Sequence, residues 1–278
     1  MTTQPVPAER EYVLGANDVE LGRLGLQHRL WSRYALDLWE RAGIGVGHRV
    51  LDVGCGPGYA TIDLATLIGA RGSVLAVDES SKFLDHLRGE IERRQIPNIR
   101  TQQSDVTRLD LEPDSFDAAY ARWVLCFVND VDAVVASVAR ALRPGGVFCV
   151  QDYFNYRAVT LAPHSDAFTR IVQATDRSWR QRGGDPDVAG RLPAIMQRHG
   201  LEVREIRPIL RVARPGSLLW QWPETFFINN YLIRLREMEM ITEDEKVAAE
   251  NDWAARSADP ASYLTTPPVM DIIAVKRG

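Results

Sequence analysis

Apolar positions fall into two alternating rhythms over the first half of the chain. From about Asp18 to Ala42 the positions Leu21, Leu24, Leu30, Trp31, Tyr34, Leu38 and Trp39 recur mostly at three- and four-residue spacing, which predicts a helix. Gly43, Gly45 and Gly47 then punctuate the chain. The compact runs Arg49–Val53, Ser73–Val77, Ile99–Gln103, Phe116–Ala121 and Val147–Gln151 read as strands. Between them, Thr61–Ile68, Ser80–Arg94 and Val131–Leu142 carry helical patterns, and Pro144-Gly145-Gly146 reads as a turn. Alternating segments of these lengths predict an α/β fold, a Rossmann-like mostly parallel sheet with right-handed crossovers and helices on both faces.

Beyond residue 160 the pattern changes. Ser165 reads as an N-cap, and Phe168, Ile171, Val172, Thr175 and Trp179 form a helical stripe that Gly183-Gly184 ends. Asp187–His199 reads as another helix, and Leu201–Val212 and Val269–Val275 as strands. Between those strands lies an aromatic, mostly helical insertion, Trp220–Trp253. No internal repeat, low-complexity segment or sharp shift in composition divides the chain. It is therefore expected to be one domain over 1–278, with a cap over 9–42, a core over 43–152 and a substrate side over 153–278.

Composition narrows the classes of function. The net charge of −4 gives no global electrostatic case for nucleic acid or an acidic membrane surface. No apolar run approaches a membrane span, and the opening MTTQPVPAER has no signal-peptide core. The three cysteines, Cys55, Cys126 and Cys149, form no C-x-x-C pair, which disfavours a disulfide framework or a zinc site and favours a reducing compartment, the cytoplasm. No cluster of His, Cys and acids has metal-ligand spacing, so no metal is expected.

The chemistry concentrates at VLDVGCGPG, residues 50–58. Glycines at a strand-to-helix turn let backbone approach a ligand closely. Their spacing at 54, 56 and 58 is not the dinucleotide G-x-G-x-x-G, and no P-loop lysine follows. Pro57 removes a backbone donor, so the turn suits a ligand that presents no phosphate there. Asp78 closes the second strand, where doubly wound folds place an acid against ribose hydroxyls, and Asp105 closes the third, where it could accept from an adenine amino group.

These stretches, with SDV at 104–106, SFDAAYARWVLCFV and LRPGGVFCVQDY, stand in the order found in class I S-adenosylmethionine-dependent methyltransferases. They most resemble the ubiquinone/menaquinone-type branch that acts on small molecules, over about residues 42–152. Tyr12-Val13-Leu14-Gly15 and the helix after it also resemble that branch's N-terminal caps. The resemblance implies a seven-stranded sheet whose last strand, Val269–Val275, is antiparallel. It implies that Asp52, Gly54, Gly56 and Gly58, with Cys55, surround the methionine end of S-adenosylmethionine. Asp78, with Glu79, takes the ribose, and Asp105 and Val106, with Ser104, take the adenine. Arg122 lies where backbone meets the methionine amino group, and Tyr12 could fold over the sulfonium.

Methyl transfer is an in-line displacement that needs a base only if the nucleophile must lose a proton. Base candidates are His28, His164, Asp152, Tyr153 and Tyr156, with Asp152, Tyr153 and His28 the leading set. Trp123, Phe127, Tyr153, Phe154 and Tyr156 cluster at the ends of strands four and five and could wall an acceptor pocket, with His164 in the loop beyond. The stretch WQWPETFFINNYLIRLR at 220–236 reads as core or lid packing, with direct substrate contact and a homodimer surface as the alternatives. The leading expectation is a small-molecule methyltransferase. A quinone-ring C-methyltransferase, a non-catalytic S-adenosylmethionine-binding module and a nicotinamide oxidoreductase are the alternatives.

Overall fold

The structure, a computed structural model, describes residues 18–278. The expected arm around Tyr12 lies outside the described residues. Seven strands form one sheet: β1 (Arg49–Val53), β2 (Ser73–Asp78), β3 (Ile99–Gln103), β4 (Phe116–Arg122), β5 (Leu142–Tyr153), β7 (Leu201–Ile209) and β10 (Val269–Lys276). Their order is β3-β2-β1-β4-β5-β10-β7. The first five pair in parallel, while β10 runs antiparallel to both β5 and β7, as expected.

The strand sequences explain this arrangement. Val50, Leu51 and Val53 of β1 and Ala118, Ala119 and Ala121 of β4 are fully buried, so both faces of the sheet centre must be covered. One core contains Leu38 and Trp39 of α1 (Asp18–Arg41), Leu64 and Ile68 of α2 (Tyr59–Ile68) and Leu84 and Leu87 of α3 (Ser81–Arg94). Trp39 meets Tyr120 edge-to-face at 5.1 Å between centroids. The other core contains residues of α4 (Val131–Ala141), α5 (Asp166–Gln181) and α6 (Leu192–Arg198). The chain winds from β1 through β2 to β3 on one side and from β4 to β5 on the other. The crevice between β1 and β4, at the strand carboxyl ends, is the topological switch point of an open sheet.

Several boundaries depart from the sequence pattern for local reasons. The Pro144-Gly145-Gly146 turn sits inside β5, where the register on β4 slips between Phe116 and Ala118. The helix expected over Asp187–His199 divides into a 3-10 turn, Val188–Gly190, and α6, with Pro193 in the first turn of the latter. The strand expected over Leu201–Val212 ends at Ile209. Val212–Ala213 (β8) instead pairs with Tyr263–Thr265 (β9), which also pairs with Thr160–Ala162 (β6), in a small antiparallel sheet that the pattern did not foretell.

The aromatic insertion is helical and turned inward. It comprises α7 (Gln221–Pro223), a π-helical stretch Glu224–Tyr231, α8 (Leu232–Glu237) and α9 (Glu243–Ala258). Trp220, Trp222, Phe226, Phe227 and Tyr231 are buried within the chain, so these rings form core rather than an outer face. The capping box of Thr242 and Glu245 restarts the chain as α9. No described helix is long and apolar enough to cross a membrane.

The turn from β1 into α2 depends on Gly58. It lies in the left-handed region at φ 84°, and a Cβ there would sit 2.3 Å from Leu87 Cδ1. Gly58→Ala is expected to destabilise the protein by roughly 2–4 kcal/mol through strain and overlap. Combining it with Leu87→Ala should cost less than the sum of the single changes, by about 1 kcal/mol or more. Denaturant titration of the four proteins checks this; additive costs would show that the two side chains do not compete for the same space.

Candidate active site

One cavity of about 710 Å³ opens at the switch point, a size typical of small-molecule sites. Its floor is the glycine turn. Gly54 (φ 65°) and Gly56 (φ 54°) are both left-handed. A Cβ on Gly54 would strike Val124 at 2.5 Å, whereas one on Gly56, which lines the cavity, would meet nothing within 4 Å. Gly56 is therefore bare toward the cavity. The turn is tied down by the Cys55 amide donating to Val77 O at 2.9 Å and the Gly56 amide donating to Asp78 Oδ2 at 2.8 Å. The other Asp78 oxygen accepts the Ser80 amide at 2.9 Å.

Three acids, Asp78, Glu79 and Asp105, line the same end of the cavity. Asp105 also caps the 3-10 turn Val106–Arg108, with Oδ1 accepting from the Thr107 amide and hydroxyl at 2.9 and 2.7 Å. Its ordinary structural duty and its place in the cavity wall therefore coexist. Val106 completes that wall.

Arg122 and His28 form the next layer. Arg122 ends β4 and brings Nη2 to 3.0 Å from His28 Nδ1. A guanidinium only donates, so Nδ1 is the bare nitrogen and Nε2 carries the proton. That proton faces Asp63 Oδ2 at 3.1 Å. Both ring nitrogens are thus engaged, which corrects the expectation of His28 as a base: in this chain it orients Arg122. Arg122 Nη1 is buried without a hydrogen-bond partner. A buried guanidinium nitrogen left so is costly, and an incoming acceptor would satisfy it.

The opposite end is aromatic. Trp123 holds a left-handed φ of 51°, unusual for a bulky residue and a mark of functional strain. It stacks on Tyr153 at 6.0 Å between centroids and meets Trp31 edge-to-face at 5.4 Å. Phe127, Trp179 and Phe226 complete the wall, with Phe127 and Trp179 4.7 Å apart. Arg23 also lines it, buried and held on both arms by Glu20 at 2.6 and 2.7 Å and by Gln27 at 2.8 Å. Trp222 Nε1 and Asn230 Nδ2 join that cluster from the insertion at 3.0 and 3.2 Å, so the cap helix and the insertion are locked together.

Of the expected residues, the cavity brings together Gly54, Cys55, Gly56, Asp78, Glu79, Asp105, Val106, Arg122, His28, Trp123, Phe127 and Tyr153. Others stand away from it. Asp152 is fully buried and spends its carboxylate on the Cys126 and Tyr153 amides at 3.2 and 2.8 Å. Side chains alternate along a strand, so Tyr153 and Asp152 cannot both face the cavity, and Asp152 is not the base. Tyr156 is buried behind Tyr153 and Trp179, with centroids 5.0 and 4.8 Å away, and supports the wall rather than forming it. His164 is exposed and paired with Asp166 at 3.1 Å. Phe154 is exposed too. Ser104 braces Asp78 by donating its amide to Asp78 O at 3.0 Å, and Gly58 and Asp52 lie behind the turn.

Sequence reasoning missed Arg23, Gln27, Tyr59, Lys82, Trp179 and Arg182, which also line the cavity, as do Phe226 and Arg234 of the stretch for which substrate contact was an alternative. The buried polar side of α1 was a usable signal. Arg23 and Gln27 stand four residues apart, the spacing of one helix face.

Asp52 accepts the Thr61 hydroxyl at 2.6 Å beneath the turn, and burial pushes its pKa from 3.8 up to about 6, against the pull of Thr61 and Arg122. The folded state thus holds this proton more tightly than the unfolded chain. Its stabilising contribution is complete below pH 3.8 and is lost as pH rises through about 6. Asp52→Asn, which keeps an acceptor without the charge, is expected to raise unfolding free energy by roughly 1–3 kcal/mol at pH 8 and to leave it unchanged near pH 3.5. Chemical denaturation at the two pH values checks the sign; a variant less stable at pH 8 would show that the carboxylate is held there by attraction.

Known proteins share this arrangement. A family profile described as a methyltransferase domain matches residues 50–146. The ubiquinone/menaquinone biosynthesis C-methyltransferase UbiE of Idiomarina loihiensis is 32% identical over 135 residues, 48% of this chain and 53% of that protein. The chain thus spans about half the length of the curated relatives it matches. A putative methyltransferase structure from Bacillus halodurans superposes with a TM-score of 0.60 at 17% identity, covering 87% of this chain and 98% of that one. Phosphoethanolamine N-methyltransferase 2 of Haemonchus contortus, solved with phosphomonomethylethanolamine and S-adenosylhomocysteine, gives 0.54 at 20% identity, covering 88% and 53%. With the glycine turn, the acids at successive strand ends and the reversed last strand all in place, residues 50–146 of the chain carry a methyltransferase domain.

Proposed function

We propose that this protein transfers a methyl group from S-adenosylmethionine to a small-molecule acceptor by in-line displacement. The observation that carries the reading is the partnerless, buried Arg122 Nη1 beside a bare Gly56 at the cavity floor. Together they suit the methionine carboxylate of a cofactor that brings no phosphate to the turn. The acid row suits the rest: Asp78 for the ribose diol, Asp105 and Val106 for the adenine. The cofactor supplies an electrophilic methyl on sulfur, and the chain's residues supply geometry.

That geometry is enough for the reaction. The lining carboxylates all lie at the cofactor end, and His28 has no spare nitrogen. Acceleration then comes from aligning the acceptor atom with the methyl and from excluding water. The aromatic wall also favours a cation at sulfur. Among the described residues no three His, Cys, Asp or Glu side chains group as a metal would require. The similarity to UbiE favours a quinone-ring carbon as a second reading of the acceptor atom. The chain works as one unit in this reading, cap, core and insertion each contributing cavity wall. Three buried free cysteines suit the cytoplasm.

Calorimetry with S-adenosylhomocysteine and with NAD tests the cofactor. The former is expected to bind with roughly micromolar affinity, and NAD not comparably. Arg122→Met and His28→Ala should each weaken S-adenosylhomocysteine about tenfold, or about 1.4 kcal/mol. Gly56→Val should abolish binding, at a folding cost of about 1–3 kcal/mol from the left-handed backbone. Methyl uptake from labelled S-adenosylmethionine across a metabolite set tests turnover. Preferential NAD binding, or unaltered affinity in all three variants, would overturn the reading.

A further inference from the structure

The cavity's three acids lie with the glycine turn, where Arg122 and Lys82 also line it, while the mouth beside the aromatic wall carries Arg182 and Arg234 and no acid among the described residues. Arg23, between them and the floor, is satisfied by Glu20 and adds no net charge.

Arg182 stands out among its neighbours. Arg180, two residues earlier, holds Asp176, Asp185 and Asp187 within 3.2 Å. Arg182 meets no carboxylate within salt-bridge distance among the described residues. Its Nη2 reaches only the weak acceptor Met238 Sδ, at 3.3 Å. Met238 follows α8, and its amide donates to Arg234 O at 3.0 Å, so the two arginines are brought to one segment of the insertion. Both guanidiniums act on the same hydroxyl. Burial raises the pKa of Tyr231, and Arg182 and Arg234 each pull it down. Arg234 also faces Glu237 at 3.5 Å.

Resting on the methyltransferase reading, we propose that the acceptor is an anion: a ring-sized apolar body held among the aromatic side chains, with a carboxylate or phosphate head bound by Arg182 and Arg234 at the mouth. The planar fork of a guanidinium matches either head through paired hydrogen bonds. The rings of Trp123, Tyr153 and Trp179 line the cavity side by side, with Tyr153 6.0 Å from each of the other two, and so supply an apolar wall for such a body. Anchoring the head at the mouth fixes the body's depth, and so the position of the acceptor atom relative to the methyl. An acceptor that also lacks a protein base must ionise readily or attack through a lone pair already bare, which electron-rich ring acids do.

The test uses the full chain saturated with S-adenosylhomocysteine. Titrations with benzoate, cinnamate and 2-naphthoate are set against their primary amides, with phenyl phosphate as a separate arm. At least one anion is expected to bind tenfold or more tightly than its neutral counterpart, with benzyl alcohol as the counterpart of phenyl phosphate. Which arm binds distinguishes carboxylate from phosphate. Arg182→Gln and Arg234→Gln should each lower that affinity threefold or more, and jointly tenfold or more, with S-adenosylhomocysteine affinity unchanged. Indifference of every pair to charge, or no binding of any anion to the loaded protein, would overturn the proposal while leaving the cofactor reading intact. Failure of S-adenosylhomocysteine itself to bind would overturn the reading on which it rests.

Discussion

The hydrogen bond from the Gly56 amide to Asp78 joins the ends of the neighbouring strands β1 and β2 beside the crevice, and the site is built outward from it. Gly54, Gly56 and Gly58 all occupy left-handed backbone, which turns the chain from strand to helix within a few residues. The same carboxylate accepts the Ser80 amide and so sets the start of α3. One acid therefore fixes the floor, the adjoining helix and its own place in the wall. A side chain so constrained presents its remaining acceptor capacity in a fixed direction, which is what recognition of a diol needs. Its structural duty and the ribose contact proposed for it use the same geometry.

Charge is distributed around that floor with a clear polarity. The acids cluster where a nucleoside would lie, Arg122 stands alongside them, and the arginines of the insertion gather at the mouth. Between the two ends the wall is aromatic, so little polar chemistry is available at the point of transfer. In the proposed transfer such a cavity works by alignment rather than by proton traffic. The buried cluster of Glu20, Arg23, Gln27, Trp222 and Asn230 serves that end, because it clamps the cap helix to the insertion above the aromatic wall. Breaking a buried pair of this kind leaves an uncompensated charge, so its cost falls on the cavity's shape.

The sheet was legible because its signals are local. An apolar run, a turn residue and a helical stripe can each be read without knowing the partner, and β1 and β3 emerge with the boundaries expected. The glycine turn and its acids were legible for the same reason, since every one of them lies at a strand end. What failed required knowledge of facing. Asp152 and Tyr153 are neighbours with opposite directions, and the pattern alone did not say which looked into the crevice. His28 carried its chemistry in plain view, but its partners Asp63 and Arg122 lie 35 and 94 residues away. The arginines at the mouth come from two elements that meet only through tertiary packing, and the π-helical turn that places Phe226 has no signature in spacing.

The left-handed Trp123 connects the two halves of the site. Its predecessor Arg122 belongs to the cofactor end, and its own ring belongs to the aromatic wall, yet the guanidinium carbon lies 5.2 Å from that ring's centroid. The Trp123 amide is pinned to Gln151 O at 2.9 Å, and the strained φ forces ring and guanidinium to leave the strand end in fixed directions. Any ligand that draws Arg122 toward itself therefore pulls against the backbone that carries Trp123. Tyr153 stacks on Trp123. The two halves of the cavity thus meet at three adjoining side chains, those of Arg122, Trp123 and Tyr153. A change at Trp123 consequently acts on both ends of the cavity, and its effect on the acceptor has meaning only beside its effect on the cofactor.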